Sequence, residues 1–342
     1  MRRCSLALLA AACALVGAAC GGGAKQAAAR IEPTRLALFG PLPQTIPSPG
    51  NIITQAKVDL GRQLYYETRL SRSGDISCNS CHHLDAYGAD TGRVSAGFQG
   101  QLGVRNSPTV YNAAGHVAQF WDGRAGTVET QALGPLVNAD EMAMPNPKSV
   151  EQLLRADPSY QAAFHAAFPA EREPISYENV GRAIGAFERG LLTPSRWDRF
   201  LRGDRKALTD DEKIGFNTFV ELGCSGCHTG TLVGGSVFQK AGVVHPWPDT
   251  ADVGREAVTR QKADRMVFKV PSLRNIERTG PYFHNGRVVT LDSAIVQMAH
   301  VQLGRDITPV QVAQVRTWLH SLTGDIPQAY IAAPRSQPPR SD

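Results

Sequence analysis

Two pentapeptides of the form Cys-x-x-Cys-His stand out in this chain as residues that could do chemistry. Two thiols three residues apart on one helical turn can meet the two vinyl groups of a haem and form thioethers. The adjacent histidine then lies under the iron as its proximal ligand. Each copy therefore predicts a covalent c-type haem, and two copies predict a dihaem redox protein. The predicted haem-binding residues are Cys78, Cys81, His82, Cys224, Cys227 and His228.

The N-terminus has the layout of an export signal. Arg2 and Arg3 are followed by a short apolar run over 6–16 and by small residues before Cys20. The run is too short for a transmembrane helix. We interpret 1–20 as a signal peptide and expect a periplasmic protein. Cys20, followed by three glycines, suggests a lipoprotein anchored through this residue, and ordinary cleavage near Ala19 is the alternative.

The seven cysteines are all accounted for under this interpretation. Cys4 and Cys13 leave with the signal, Cys20 is the candidate lipid anchor, and four hold haem. No pair remains for a disulfide and no thiol for nucleophilic catalysis. A zinc or redox-active dithiol site is the alternative for a Cys-x-x-Cys pair, but a histidine directly after both pairs favours haem. The formal net charge is +5, and no basic run with interleaved aromatics indicates nucleic-acid binding.

The rest of the chain predicts a mainly α fold with two cytochrome c-like haem domains and irregular loops. Apolar periodicity predicts helices from Ala56, over 149–168 and 176–192, and over 290–303 and 309–322. Thr209 and Glu212 form a capping box before the second motif. The predicted domains are a Pro- and Gly-rich tether and arm over 21–50, an N-terminal domain over 51–195, a C-terminal domain over 196–330, and a disordered tail over 331–342.

The sixth ligand of each iron decides whether a haem transfers electrons or binds substrate. A methionine thioether raises the potential, while a vacant position admits peroxide. Met298 lies on a predicted helix after the second motif. Core packing is the alternative for a methionine at helical spacing, and spacing alone leaves both open. The other candidates are Met142, Met144 and Met266.

Over about 56–324 the chain resembles the bacterial dihaem cytochrome c peroxidases. Besides the two haem motifs, the resemblance rests on RNSPT at 105–109, QFWDGR at 119–124, PSLRN at 271–275 and TGPYFHNG at 279–286. Gln131, the Gly134-Pro135 pair, Glu141 and Met142 also follow at the family's spacing. Met298 falls fourteen residues after His284, where the family has its axial methionine.

The resemblance implies a division of labour between two haems c. The haem on His228, with Met298 opposite, is expected to be the high-potential centre that receives electrons. The haem on His82 is expected to be the low-potential peroxidatic centre, with Glu141 as acid–base residue and Gln131 lining the pocket. A carboxylate beside bound peroxide can move a proton from one oxygen to the other and so help the O–O bond break.

Three further expectations come from the resemblance alone. Trp121 matches the tryptophan between the two haems, for which an aromatic core residue is the alternative. Asn106, Thr279 and Pro281 match positions that hold a calcium ion, a hard cation suited to such oxygen ligands. The family also leads us to expect a homodimer. His284 is interpreted as structural or as lying near a haem edge, and not as a ligand.

One position departs from the family pattern. In many members a loop histidine blocks the resting peroxidatic haem, and here that position is Phe98, which cannot ligate iron. His83 is badly placed to replace it, and His116 is a remote substitute interpreted as a packed or surface histidine. We therefore expect a peroxidatic haem that is open in the oxidised protein and needs no reductive activation.

The sequence thus predicts a peroxidase that reduces hydrogen peroxide with electrons from a small cytochrome c or cupredoxin. A dihaem oxidase that modifies a partner protein is the second reading. Met298 argues against it, because those oxidases carry a tyrosine ligand there, while the missing loop histidine favours it weakly. A non-enzymatic dihaem electron carrier is the third reading.

Overall fold

The computed structural model describes residues 29–334, whose regular structure is mainly helical, as predicted. The predicted signal peptide, Cys20 and residues 335–342 lie outside the described residues. The α-helices of the first half are α1 (Pro33–Leu36), α2 (Gln55–Tyr66), α3 (Cys78–Cys81), α4 (Val128–Gln131), α5 (Leu133–Val137), α6 (Pro147–Arg155), α7 (Pro158–Ala167) and α8 (Tyr177–Glu188).

The second half continues with helices and a small antiparallel ribbon, in which Gln239 pairs with Phe268. Its helices are α9 (Arg196–Leu201), α10 (Asp210–Leu222), α11 (Glu256–Thr259), α12 (Leu291–Leu303), α13 (Pro309–His320) and α14 (Gln328–Ile331), and its strands are β1 (Phe238–Lys240) and β2 (Val267–Lys269). Short 3₁₀ turns fill the loops at Thr68–Leu70, Leu84–Ala86, Phe98–Gly100, Ala113–Gly115, Cys224–Gly226, Lys262–Asp264 and Ile276–Arg278.

The first core forms around the crossing of α2 and α8. The residues that carry the periodicity of α8 are fully buried, because one face of the helix is apolar. At the crossing, a Cβ on Gly61 of α2 would lie 1.9 Å from the Ala183 carbonyl oxygen of α8, so only glycine permits this approach. The core includes Leu60, Leu64, Val180, Ile184 and Phe187.

The second core repeats this design around the crossing of α10 and α13. The predicted capping box is present, since the Thr209 and Glu212 side chains each accept a hydrogen bond from the other's backbone N–H. A Cβ on Gly215 of α10 would lie 2.1 Å from the Gln314 carbonyl oxygen of α13. Each half therefore packs the helix that precedes its haem motif against a later helix through a glycine.

Each end of the described chain packs against the core formed by the other half of the chain. Ile31 and Phe39, from the arm, pack into the second core. Tyr330 and Ile331 pack into the first core, where the Tyr330 ring stacks on Phe187 with centroids 5.2 Å apart. Each of the two cores is therefore completed by a segment from the other end of the described chain.

Two sequence predictions differ from the structure. The predicted helix over 149–168 is two helices, because Asp157 caps α7 and Pro158 at its first position has no N–H to continue the turn of α6. The tail predicted to be disordered includes Ile331, but this residue is buried at the end of α14.

Within residues 29–334, no helix is long and apolar enough to cross a bilayer. Export and lipid anchoring therefore stay predictions about residues that lie outside that range.

Candidate functional site

The two Cys-x-x-Cys-His motifs adopt tight helical turns. Cys78–Cys81 forms α3, and Cys224–Gly226 is a 3₁₀ turn that follows Gly223, a residue with φ of 97° at the end of α10. All four cysteines are free thiols. No group of three or more His, Cys, Asp or Glu side chains in the described range could hold a metal ion. The four thiols are therefore available for thioether bonds.

Each motif lines its own cavity. The first cavity has a volume of about 440 Å³ and the second about 220 Å³, both far larger than the ~30 Å³ share of one water molecule. The first cavity is lined by Cys78, Cys81 and His82, and the second by Cys224, Cys227 and His228. Two thiols and one imidazole on the wall of one cavity are the donor set of a covalently bound haem c, so the residues present fit this cofactor.

The two histidines have the properties of neutral metal ligands. Burial lowers the pKa of His82, and it lowers the pKa of His228 to about 4. The Nδ1 atom of His82 lies 3.3 Å from the Gly88 carbonyl oxygen. In the tautomer that donates this hydrogen bond, Nε2 keeps its lone pair for a metal.

The predicted catalytic residues come together in the first cavity. Glu141, Gln131 and Trp121 all line it with His82, although they come from different segments. Burial raises the pKa of the Glu141 carboxyl, while a hydrogen bond from the Asn138 side chain and the charge of Arg124 oppose the rise. A raised pKa makes the carboxyl easier to protonate, which favours a role in which it takes up and returns a proton.

The first cavity also contains polar residues that sequence analysis did not assign. Arg124 lies over the Phe120 ring, 3.4 Å from its centroid, within the QFWDGR motif. Glu188 comes from the buried face of α8, where burial and the charge of Glu129 raise its pKa to about 8. His116 was interpreted as a packed or surface residue, yet it lines the cavity. The QFWDGR motif could have indicated that Arg124 lies in the site. Glu188 has no such motif, and only the packing of α8 brings it to the cavity wall.

The loop that carries Phe98 is fixed beside Glu141. The Phe98 N–H donates to the Glu141 carbonyl oxygen at 2.8 Å. A Cβ on the preceding Gly97 would lie 2.1 Å from the Asp140 carbonyl oxygen, so the two loops touch through glycine. The Phe98 ring lies below the Arg72 guanidinium, 5.6 Å from it, and is not part of the cavity wall. Among the described residues, the histidines that line this cavity are His82 and His116.

The second cavity has a different wall. Met298 of α12 lines it with His228 and is the only methionine among the described residues to do so. His284 is 4% exposed and stacks on Phe268 with centroids 4.2 Å apart, beside the cavity as expected. The other candidate methionines lie elsewhere: Met142 lines the first cavity, and Met144 and Met266 are buried in the cores.

Trp121 lies in the wall between the two cavities and lines both. Its indole Nε1 donates to the Asn106 carbonyl oxygen at 2.9 Å, and its own carbonyl oxygen accepts from the Lys269 N–H at 2.8 Å. These two bonds fix Trp121 in the wall that the two cavities share. Its role between two redox centres stays a prediction.

The residues predicted to bind calcium line the second cavity, and one of them also lines the first. Asn106, Thr279 and Pro281 line the second cavity, and Asn106 lines both cavities. The Asn106 side-chain nitrogen lies 3.4 Å from the carbonyl oxygens of Gly92 and Arg93. Calcium binding at these residues stays a prediction.

Comparison with known proteins agrees with this geometry. Residues 55–206 match the family described as di-haem cytochrome c peroxidase. The chain is 43% identical over 299 residues to the cytochrome c551 peroxidase of Pseudomonas aeruginosa, a match that covers 85% of this chain and 86% of that protein. It is 36% identical over 258 residues to the methylamine utilization protein MauG of Methylorubrum extorquens, which covers 74% of this chain and 71% of that protein.

A solved structure supports the same relationship. The crystal structure of a MauG-like protein associated with microbial copper homeostasis matches with a TM-score of 0.75 and 30% sequence identity. The match covers 86% of this chain and 97% of that chain. The two cavities with their motifs and the identity over most of the chain lead to one conclusion: this protein belongs to the dihaem cytochrome c peroxidase family, and it is an oxidoreductase of the cytochrome-c peroxidase class.

Proposed function

We propose that the protein reduces hydrogen peroxide to water at the first cavity, with two electrons delivered one at a time by a small cytochrome c or cupredoxin. The observation that carries this proposal is the meeting of Glu141, Gln131 and His82 on the wall of one cavity. When bound, the two haems supply the iron centres that store and pass the electrons.

Glu141 moves protons in this proposal. Its carboxylate accepts a proton from one peroxide oxygen and returns it to the other, so that the O–O bond breaks and the second oxygen leaves as water. The first oxygen takes up the two donated electrons and two protons from solvent and becomes the second water. Burial raises the pKa of Glu141, which favours the protonated form needed for the return step. The Gln131 amide, which can donate and accept hydrogen bonds, orients the peroxide beside this carboxyl.

The second cavity receives the electrons. Met298 and His228 lie on the wall of this cavity and would hold the iron of its haem. A thioether ligand stabilises the reduced state, which suits a high-potential centre. Trp121, which lines both cavities, lies on the path from this centre to the first one.

The first haem is open before any electron arrives in our proposal. Support comes from the Phe98 loop, because its ring contacts Arg72 and its backbone is bonded to Glu141. His116, the other histidine of the wall, is engaged by Lys269 through Nδ1. The protein therefore needs no reductive activation.

A dihaem oxidase acting on a partner protein is the second candidate, favoured by the identity to MauG and by Phe98 in place of the loop histidine. Met298, at the position where those oxidases have tyrosine, disfavours it. A plain electron carrier is disfavoured by the half-buried Glu141 carboxyl on the cavity wall. Periplasmic location, a lipid anchor at Cys20, a calcium ion and a homodimer belong to the proposal as family or sequence expectations.

One experiment tests the proposal. We expect electron paramagnetic resonance of the diferric holoprotein to show one high-spin and one low-spin haem, and peroxide turnover to begin without prior reduction. Two low-spin haems with turnover only after reduction would contradict the open first site. Two low-spin haems with no turnover in either state would support the electron carrier instead.

A further inference from the structure

A buried lysine lies in the wall between the two cavities. Lys269, the last residue of β2, is 6% exposed and lines both cavities. Its Nζ lies 3.0 Å from Nδ1 of His116, which lines the first cavity. Neither residue belongs to a motif that carries the family resemblance, and neither has a task in the proposed peroxide chemistry.

The described part of the chain provides no counter-ion for this lysine. Within residues 29–334, no carboxylate lies within ion-pair distance of the Lys269 ammonium. Asp122 is the carboxylate whose charge acts most on Lys269. It already forms ion pairs with Arg105 at 2.6 Å and with Arg124 at 3.1 Å. Glu188 lines the same cavity without a bond to Lys269. A buried ammonium without a partner is costly, so an anion from outside the polypeptide is expected here.

The His116 ring packs against the backbone, and its Nε2 atom is free to form a hydrogen bond. A Cβ on Gly235, which has φ of +75°, would lie 2.4 Å from the His116 ring, so the ring packs directly on this glycine. The backbone of the next residue, Val117, is anchored by a 2.8 Å hydrogen bond from its N–H to the Gly235 carbonyl oxygen. The Nε2 atom of His116 is buried and has no hydrogen-bond partner.

Of the two side chains, Lys269 is the one that takes up a proton more readily. Burial lowers the pKa of Lys269 to about 7, while burial and the neighbouring lysine hold the pKa of His116 well below its usual value. The imidazole is therefore neutral. Nζ and one ring nitrogen can donate hydrogen bonds to the same anion from a rigid wall.

We propose that Lys269 and His116 form a binding site for a carboxylate group of the haem in the first cavity. A haem c attached through its vinyl groups keeps two carboxylates, and hydrogen peroxide is neutral at physiological pH, so the cofactor is the anion that this site fits. The lysine both positions the haem and raises its reduction potential, because a nearby positive charge stabilises the more negative reduced state. The inference requires haem at this site but not peroxide turnover.

The test uses the holoprotein with Lys269→Met, Lys269→Arg and, as a matched control, Lys262→Met on an exposed turn. Two readouts apply: the midpoint potentials of both haems from spectroelectrochemistry, and the propionate bending band in resonance Raman spectra. We expect Lys269→Met to lower the potential of the first haem more than that of the second and to shift the Raman band. Lys269→Arg should restore most of both changes, and Lys262→Met should cause neither.

His116→Leu keeps the proposal testable if Lys269→Met does not incorporate haem. We expect this variant to shift the same Raman band, with the spin state of the first haem unchanged. Potentials and Raman band equal to wild type in either variant would overturn the proposal, and so would a shift confined to the second haem. A change of the first haem from low spin to high spin in His116→Leu would also overturn it, since His116 would then be an iron ligand. None of these readouts depends on Glu141.

Discussion

The two cavities begin from the same pentapeptide and are completed by different neighbours. The wall of the first cavity includes titratable and charged side chains, among them Glu141, Glu188 and Arg124. The wall of the second cavity includes Met298 and a set of aromatic rings: Trp247, Phe268, Tyr282 and Phe283. The attachment motif therefore decides that a haem is bound, and the residues opposite it decide whether protons can be handled there.

The two halves are packed in the same way, but their buried ion pairs differ in how far they are shielded from solvent. Each has a glycine at its main helix crossing and a buried ion pair. Arg274 and Asp198 in the second half have fully buried side chains, and both guanidinium Nη atoms lie 2.9 Å from the carboxylate. Arg189 and Glu129 in the first half retain 7% and 11% of side-chain exposure. The second half thus depends more strongly on its pair.

Glu141→Gln should break the chemical distinction between the cavities, and we expect it to have the largest effect. Loss of acid–base catalysis is expected to lower the peroxide turnover number by about 100-fold or more. Steady-state kinetics with unchanged haem content and spin state provides the measurement. Glu178→Gln, an exposed carboxylate on α8, serves as the control and should turn over normally. Near-normal turnover by Glu141→Gln would leave that residue without a catalytic role.

Arg274→Met should destabilise the protein more than Arg189→Met. It leaves Asp198 buried without a counter-ion, which is expected to cost about 3–5 kcal/mol of the free energy of unfolding. Guanidinium unfolding of the holoprotein measures the difference. Arg316→Met, which removes an exposed pair with Asp292, should cost at most about 1 kcal/mol. If Arg274→Met and Arg316→Met lowered the free energy of unfolding equally, burial of the ion pair would not explain its contribution to stability.

Met298→Leu should remove the ligand that distinguishes the second haem. We expect the reduction potential of this haem to fall, that of the first haem to stay, and electron transfer from the donor to slow. Met266→Leu is the matched control, because Met266 is buried in the same cluster as Met298 but does not line the cavity. A redox titration of Met298→Leu that matches wild type would exclude the ligand assignment.

The smallest expected effect concerns the pH dependence of stability. Burial opposes ionisation of Glu129, but its bonds with Arg189 dominate and hold its pKa at about 2, below the ordinary 4.5. A carboxyl with a lowered folded-state pKa contributes stability above about pH 4.5 and loses it as the pH falls towards 2. Glu129→Gln should therefore be less stable at pH 6 and show a shallower decline between pH 5 and 3. A decline as steep as that of wild type would assign the acid sensitivity to other carboxylates.

Much of the fold could be predicted because local patterns carry it. The periodicity of α8 and the capping box at Thr209 are read directly from residue types three and four apart. The break at Asp157 and Pro158 was missed, since apolar periodicity continued across it. The exchange of chain ends could not be predicted, because Phe39 and Tyr330 reach partners more than a hundred residues away.

The sequence by itself determined the cofactor class, because the covalent chemistry of Cys-x-x-Cys-His is complete within five residues. Through the family's spacing it also predicted roles for Glu141, Gln131, Trp121 and Met298. Tertiary structure decided which of them share a wall and added Lys269 and His116, which carry no local signature. An isolated lysine and an isolated histidine have no special property in a sequence. They acquire one when folding buries them together, 3.0 Å apart and with no carboxylate partner among residues 29–334.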